Sequence, residues 1–270
     1  MPPATESALL AVTIVLFRPH AGHLRTTLMS LRQAIARLPG RVQLILVDNG
    51  GGAAVVSREE LEQDFPGVTW IGGQGNVGFG AGHNLGLRSI QAPYVLVLNP
   101  DVLLDEESLA RALAFMETNP RCALLSPAVL EVDGSRQYLC KRFPSVFDLF
   151  LRGIAPEWLR SFFARRMAHY EMRDLVGDTV LWDPPIVSGC FMLFRKEAFD
   201  RVGGFDESFF LYFEDFDISL RTARIDRLAY VPDVRIMHHG GDAASKGWRH
   251  IRLFVSSALR FFRIHGWKWV

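Results

Sequence analysis

Tyr94-Val95-Leu96-Val97-Leu98-Asn99-Pro100-Asp101 runs through five aromatic and aliphatic residues and then stops abruptly. An apolar run without alternation suits a strand covered on both faces, as in a parallel sheet. Proline supplies no ladder N–H, so Asn99-Pro100-Asp101 ends that strand. Asp101 therefore stands at a strand's carboxyl end, where open α/β sheets bind their ligands. A carboxylate there can hold a divalent cation by hard oxygen ligation. Asn-Pro-Asp is also ordinary turn chemistry, and the segment alone leaves both readings open.

On the amino-terminal side, Leu9–Phe17 reads as a strand, His23–Leu38 as a helix by its apolar spacing, and Val42–Val47 as a second strand. Strand, helix, strand with short connections marks a right-handed parallel unit. Asp48 closes the second strand as Asp101 closes its own. It can read a pyrimidine N–H edge or a ribose hydroxyl, or it can cap a turn. Val68–Ile71 is a third strand, and a glycine-rich stretch from Gly72 to Asn84 follows, with a helix expected over Leu85–Ile90. Glycines admit positive φ and close backbone approach to a ligand, though such a loop can also be a plain turn. The alternation Gly78, Gly80, Gly82 after a third strand excludes the dinucleotide fingerprint, which needs a longer second gap after a first strand.

On the carboxyl-terminal side, Asp105–Asn119 reads as a helix opened by acids, Leu124–Glu131 as a strand and Asp133-Gly134 as a hairpin turn. Phe143–Met172 mixes aromatics with Arg142, Arg152, Arg160, Arg165 and Arg166. It reads as helical pieces that contact an acceptor or membrane surface, or pack on their own domain. Val187–Phe194 is a strand and Lys196–Arg201 a short helix. Phe209–Phe213 is an apolar segment from which Glu214 and Asp215 emerge at a helix start. Acids in such a setting are expensive without a partner or a function. Leu228–Val231 and Val234–Met237 lead to His238-His239-Gly240-Gly241, a pair suited to metal ligation or to a structural role. Trp248–His265 is an amphipathic helix with a basic side, followed by Trp267 and Trp269. That pattern fits an inner-leaflet contact or core packing.

Hydrophobic content of 49% and charged content of 22% describe an ordinary globular chain, and a net charge of +1 gives no global reason to expect nucleic acid. Cys122, Cys140 and Cys190 are widely spaced and form no metal-type pair, which suits a reducing compartment. The first seven residues lack a basic region, and the apolar run Ala8–Phe17 is too short to span a bilayer, so a cytoplasmic location is expected.

Taken in order, seven pieces of the chain resemble the family 2 glycosyltransferases of GT-A fold, particularly their rhamnosyltransferase-like branch. They are Val47-Asp48-Asn49, Asn76–Asn84, Asn99-Pro100-Asp101, Ser188-Gly189-Cys190-Phe191, Gly203–Glu207, Phe213–Asp217 and His238–Gly241. The resemblance covers roughly residues 9 to 265. It implies a Rossmann-like α/β fold with a mixed, mainly parallel central sheet flanked by helices, as one domain over residues 1–270. The nucleotide-sugar part would lie at about 8–105, the acceptor and catalytic part at about 106–240, and an amphipathic helix at about 246–266.

By the same resemblance, Asp48 would meet the donor's pyrimidine base, and Asn76, Gly78, Phe79, Asn84 and Asn99 would line the donor. Asp101 would be the last acid of a metal motif whose first acid is here Asn99, as is usual in that branch. His238 would be the metal histidine, with His239 in reserve. Asp215 would be the catalytic base and Glu214 its acceptor-orienting neighbour. A Mg²⁺ or Mn²⁺ ion bridging the diphosphate would stabilise the departing charge. A carboxylate base would deprotonate the acceptor hydroxyl for a single inverting displacement. The implied partners are a dTDP- or UDP-sugar, with dTDP-rhamnose leading, and a glycan or lipid-linked acceptor of bacterial surface polysaccharide. Peripheral contact with the inner membrane face is also implied. A nucleotidyltransferase would need a basic glycine-rich signature after its first strand, where this chain has Arg18-Pro19-His20. A non-catalytic nucleotide-sugar module is the other alternative, opposed by the presence of Asp101, Asp215 and His238.

Overall fold

The computed structural model describes residues 8–131, 133–153, 155–238 and 248–270; His239, Gly240 and Gly241 lie outside the described residues. The chain opens with β1 (Leu10–Phe17), α1 (Ala21–Ile35), β2 (Val42–Gly50), α2 (Arg58–Asp64), β3 (Thr69–Gly72), α3 (Phe79–Leu87) and β4 (Tyr94–Leu98). It continues through β5 (Val102–Leu104), α4 (Ser108–Thr118), β6 (Cys122–Leu130) and β7 (Arg136–Gln137) to the helices α5 (Val146–Gly153), α6 (Glu157–Phe162) and α7 (Ala164–Tyr170). Then come β8 (Leu181–Trp182), β9 (Phe191–Arg195), α8 (Lys196–Arg201), α9 (Glu214–Ala223), β10 (Arg227–His238) and α10 (Trp248–His265).

The strands form one mixed sheet in the order β3-β2-β1-β4-β9-β6-β10-β5, with β7 on β6 and β8 on β10. β3, β2, β1 and β4 run parallel, while β9 lies antiparallel to both β4 and β6. The long apolar runs are explained by burial on both faces. Along β4, Tyr94, Leu96 and Leu98 enter the core under α1 and α4, while Val95 and Val97 enter the core under α3 and α9. A third, smaller core joins α5, Phe209, Phe213 and the inner face of α10.

Several boundaries move from their expected places. The helix expected over Leu85–Ile90 is α3 and starts at Phe79, so most of the glycine motif is helical. A Cβ at Gly82 would stand 2.8 Å from Val15, and one at Gly86 would stand 2.8 Å from the Thr13 hydroxyl. Those glycines let α3 lie close against β1 and β2. The loop before the helix needs unusual backbone: Gly73, Gly75 and Gly78 have φ +92, +70 and +97, and a Cβ at Gly78 would fall 2.4 Å from the Phe210 carbonyl oxygen. α4 begins at Ser108, so Asp105, Glu106 and Glu107 precede it and do not occupy its first turn. The last two expected strand pieces are one strand, β10, whose register on β6 shifts between Val231 and Arg235. The Phe143–Met172 stretch is helical in pieces, and Phe143 packs on Phe261 and Phe262.

Candidate active site

A cavity of about 680 Å³ opens at the carboxyl ends of β1, β2 and β4. It is closed by the start of α3, the 188–190 turn, the 210–212 loop and the amino-terminal part of α10. This is the position at which open α/β sheets take ligands.

Asp101 and His238 are brought together by strand pairing. β5 runs antiparallel to β10 with Val102 opposite His238, so the residue before β5 meets the end of β10. Asp101 Oδ1 stands 3.3 Å from His238 Nε2. Among the described residues Asp101 Oδ1 is buried without an aligned donor, as is Asn99 Oδ1. Burial acts to push the Asp101 carboxyl up, but the His238 ring, together with a backbone hydrogen bond and His23, outweighs this and leaves it below the ordinary aspartate value. Two buried oxygens without donors beside an imidazole form a donor set suited to a hard cation. Among the described residues no three His, Cys, Asp or Glu side chains cluster as ligands. That fits a cation held jointly by one or two side chains and substrate phosphates.

On the opposite wall, Asn76 Oδ1 accepts from the Gly78 N–H at 3.1 Å and so shapes the turn into α3. Phe79 begins α3, donates its N–H to the Phe210 carbonyl at 3.1 Å and turns its ring to the cavity. Asn49, to which no motif assigns a role, ties this wall together through its buried amide. It donates to the Gly78 carbonyl at 2.9 Å and accepts from Gln74 Nε2 at 3.2 Å. Asp48 supports the turn that follows it, for its carboxylate accepts from the N–H groups of Gly50, Gly52 and Ala53 at 2.8–3.1 Å. Asn84 does not line the cavity. It bridges to both backbone groups of Phe205 at 2.9 Å and to Glu207 at 3.1 Å, tying α3 to the Gly203-Gly204 turn.

Glu214 and Asp215 both face the cavity, although neighbours at a helix start are expected to diverge. Asp215 Oδ2 accepts from the Gly189 N–H at 3.1 Å, and Oδ1 from the Phe216 N–H at 3.0 Å. The fit at Gly189 is tight, since a Cβ there would lie 3.3 Å from that of Asp215 and 3.4 Å from the Phe79 ring. Glu214 Oε2 is buried with no partner. Burial, and then the neighbouring Asp215 charge, push the Glu214 carboxyl well above its usual range. Burial also raises Asp215, but its two backbone N–H donors and Arg152 oppose the rise. The backbone donors favour negative charge on Asp215 over Glu214, whose Oε2 has no donor among the described residues.

The loop before these acids is packed only in part. Phe209 and Phe213 are buried, while Phe210, Leu211 and Tyr212 form cavity wall. Tyr212 and Phe213 both have left-handed backbone, φ +70 and +69, a conformation costing about 1–3 kcal/mol for each such residue. α10 holds it in place. His250 Nδ1 pairs with the Tyr212 hydroxyl at 2.9 Å, the Ser257 hydroxyl donates to the Leu211 carbonyl at 2.8 Å, and Phe254 and Phe261 pack on Phe213. Asp217, one turn on, is buried, ion-paired with Arg221 at 2.7 Å and hydrogen-bonded to His265 Nε2 at 2.9 Å, so it belongs to the scaffold.

A mixed sheet with an acid–histidine contact and a pair of adjacent carboxyls at one cavity has the fold of the GT-A glycosyltransferases. The chain matches the model of glycosyl transferase family 2 over residues 13–203 and belongs to that family. It is 31% identical to the N-acetylglucosaminyl-diphospho-decaprenol L-rhamnosyltransferase of Mycobacterium tuberculosis, over 96% of this chain and 86% of the relative. It is 29% identical to the rhamnosyltransferase WbbL of Escherichia coli, over 75% of this chain and 76% of that protein. Among solved structures, GalNAc-T7 with UDP, GalNAc and Mn²⁺ superimposes with TM-score 0.65 at 14% identity, covering 97% of this chain and 48% of that one. The Pyrobaculum calidifontis mannosyltransferase PcManGT with GDP-Man and Mn²⁺ gives TM-score 0.57 at 18% identity, covering 95% of this chain and 65% of that one.

Proposed function

We propose that this glycosyltransferase moves rhamnose from a deoxythymidine diphosphate donor to a hydroxyl of a lipid-linked glycan, with inversion at the anomeric carbon. The observation that carries the reading is that one cavity is lined both by Asp101, which His238 contacts at 3.3 Å, and by the adjacent carboxyls Glu214 and Asp215. The rhamnosyltransferase names of the relatives favour rhamnose and, for the mycobacterial one, a lipid diphosphate acceptor. The chain is read as one domain, with donor binding before about residue 105 and acceptor binding and catalysis after it.

In this reading the nucleoside lies along Asn76, Gly78 and Phe79, and Asp48, which supports the turn and does not itself line the cavity, meets the base with the one acceptor site the turn leaves free. Asp101 and His238, with Asn99 beside them, would hold a Mg²⁺ or Mn²⁺ ion. When bound, that ion stabilises negative charge on the departing diphosphate. Asp215 takes the proton from the acceptor hydroxyl. That oxygen then bonds to the anomeric carbon as the bond from this carbon to the diphosphate oxygen breaks. Glu214, protonated, donates a hydrogen bond that orients the acceptor. Raised basicity suits Asp215 to this step, because a general base works best when its proton affinity lies near the working pH. A lipid-anchored acceptor places the reaction at the inner membrane face.

Thermal melting with thymidine- and uridine-diphosphate sugars, with and without Mn²⁺, tests the donor. Metal-dependent stabilisation by dTDP-rhamnose is expected. Stabilisation by a uridine donor alone would replace the proposal with a UDP-sugar transferase.

A further inference from the structure

α10 has two apolar faces, and the fold uses one. Phe254, Ala258 and Phe261 pack inward on the third core. The stripe Trp248, Ile251, Val255 and Leu259 lies along the rim of that buried face, about a quarter turn round the helix. Trp248 is 74% exposed, and the three aliphatic residues are between 41% and 49% exposed. An unpartnered stripe over three turns is more than a stray surface leucine.

Charge selects what covers it. From Trp248 to Val270 the chain carries Arg249, Arg252, Arg260, Arg263 and Lys268 and no acid. Arg252 and Arg263 are exposed and, among the described residues, have no acidic partner. At one hundred degrees per residue both fall on the same flank of the stripe. The surface continues past the helix. Trp267 and Trp269 stack in series on Phe262, and the Trp269 carbonyl accepts from the Phe147 N–H at 3.2 Å. Phe147 in turn touches Phe163, whose neighbour Phe162 is 79% exposed. Aliphatic residues, interfacial tryptophans and unpaired arginines together match the boundary of an anionic bilayer. Among the described residues no helix is long and apolar enough to cross a membrane.

We infer that the outward face of α10, with the aromatic tail and α6 beside it, docks this enzyme on an anionic lipid surface. The same helix contributes His250 and Leu253, on its far side from the stripe, to the cavity wall, so docking sets the cavity one helix diameter, ~10 Å, from the lipid surface. This deepens the lipid-linked reading and rests on it only for the purpose of that placement.

The test is co-sedimentation of the full chain with phosphatidylglycerol–phosphatidylcholine vesicles, compared with phosphatidylcholine alone, without donor or acceptor. Binding to the anionic vesicles that weakens with salt is expected. The double variant Arg252→Gln, Arg263→Gln should bind about thirtyfold more weakly, from about fivefold per basic residue. The triple variant Ile251→Ser, Val255→Ser, Leu259→Ser should lose binding while keeping the wild-type melting temperature and its transfer to a water-soluble acceptor analogue. Absence of wild-type binding, equal binding to neutral vesicles, or unaltered binding by both variants would overturn the inference. So would a concentration-dependent dimer without vesicle binding that the triple variant abolishes, which would assign the stripe to a second copy. Because no acceptor is present, these outcomes are independent of whether the acceptor is lipid-linked.

Discussion

Replacing Glu214 by glutamine should make the protein more stable and less active. In the folded chain Glu214 is buried, lacks a partner for Oε2 and has its proton affinity raised by burial and by the Asp215 charge. A carboxyl whose folded value is raised holds its proton more tightly than in the unfolded chain. Stability is then fully present below the unfolded carboxylate range and is lost as pH rises through the folded value. Each pH unit of upward displacement corresponds to about 1.4 kcal/mol against the folded state once the group ionises. For a chain of this size, about 1 kcal/mol moves the melting temperature by about 2–4 °C. Glu214→Gln has no proton to lose. Its melting temperature should exceed the wild type's by several degrees at alkaline pH and converge with it near pH 4. Turnover should fall as the orienting hydrogen bond changes. Asp215→Asn should lower turnover by about 10²–10⁴-fold, the usual contribution of a general base, with donor affinity nearly unchanged. Melting curves across pH, steady-state kinetics and donor titration measure all three quantities. Parallel melting profiles for Glu214→Gln and wild type would refute the electrostatic argument. Near-wild-type turnover for Asp215→Asn, with collapse for Glu214→Gln, would assign the base to the wrong carboxylate.

Asp101→Ala should abolish the part of donor affinity that depends on Mn²⁺ and leave melting in the absence of ligand nearly unchanged; calorimetry with and without the ion reads this directly. Gly86→Ala should destabilise the chain by about 1–3 kcal/mol through overpacking against Thr13 and Ile45. Denaturant unfolding measures that loss, and an unchanged midpoint would contradict the close packing of α3.

The parallel half of the sheet is legible because its strands are apolar on both faces, and Leu10–Phe17 and Tyr94–Leu98 announce that directly. α10 is legible to its ends, since its apolar spacing survives even where a second face stays exposed. The glycine stretch misleads for a physical reason. A glycine that permits close helix–sheet packing looks, in sequence, like one that loosens a loop, and only the neighbours at Val15 and Thr13 separate the two. Asn49 escapes assignment because its hydrogen bonds reach Gly78 and Gln74, well apart in sequence. The meeting of Asp101 with His238 depends on the short strand β5, three residues that carry no periodic signal. Acids leaving a run of large apolar residues single out Glu214 and Asp215 in the sequence, while their sharing of one cavity follows from tertiary packing.

The left-handed pair Tyr212 and Phe213 ties the loop before Glu214 and Asp215 to α10. The groups that keep the pair in place, His250, Phe254, Ser257 and Phe261, all lie on that helix. Residues in a strained backbone persist only while their surroundings over-determine them. Loosening α10 at any of these four contacts therefore relaxes the loop, so a substitution on the helix, touching neither carboxylate, alters how both acids are presented to the cavity.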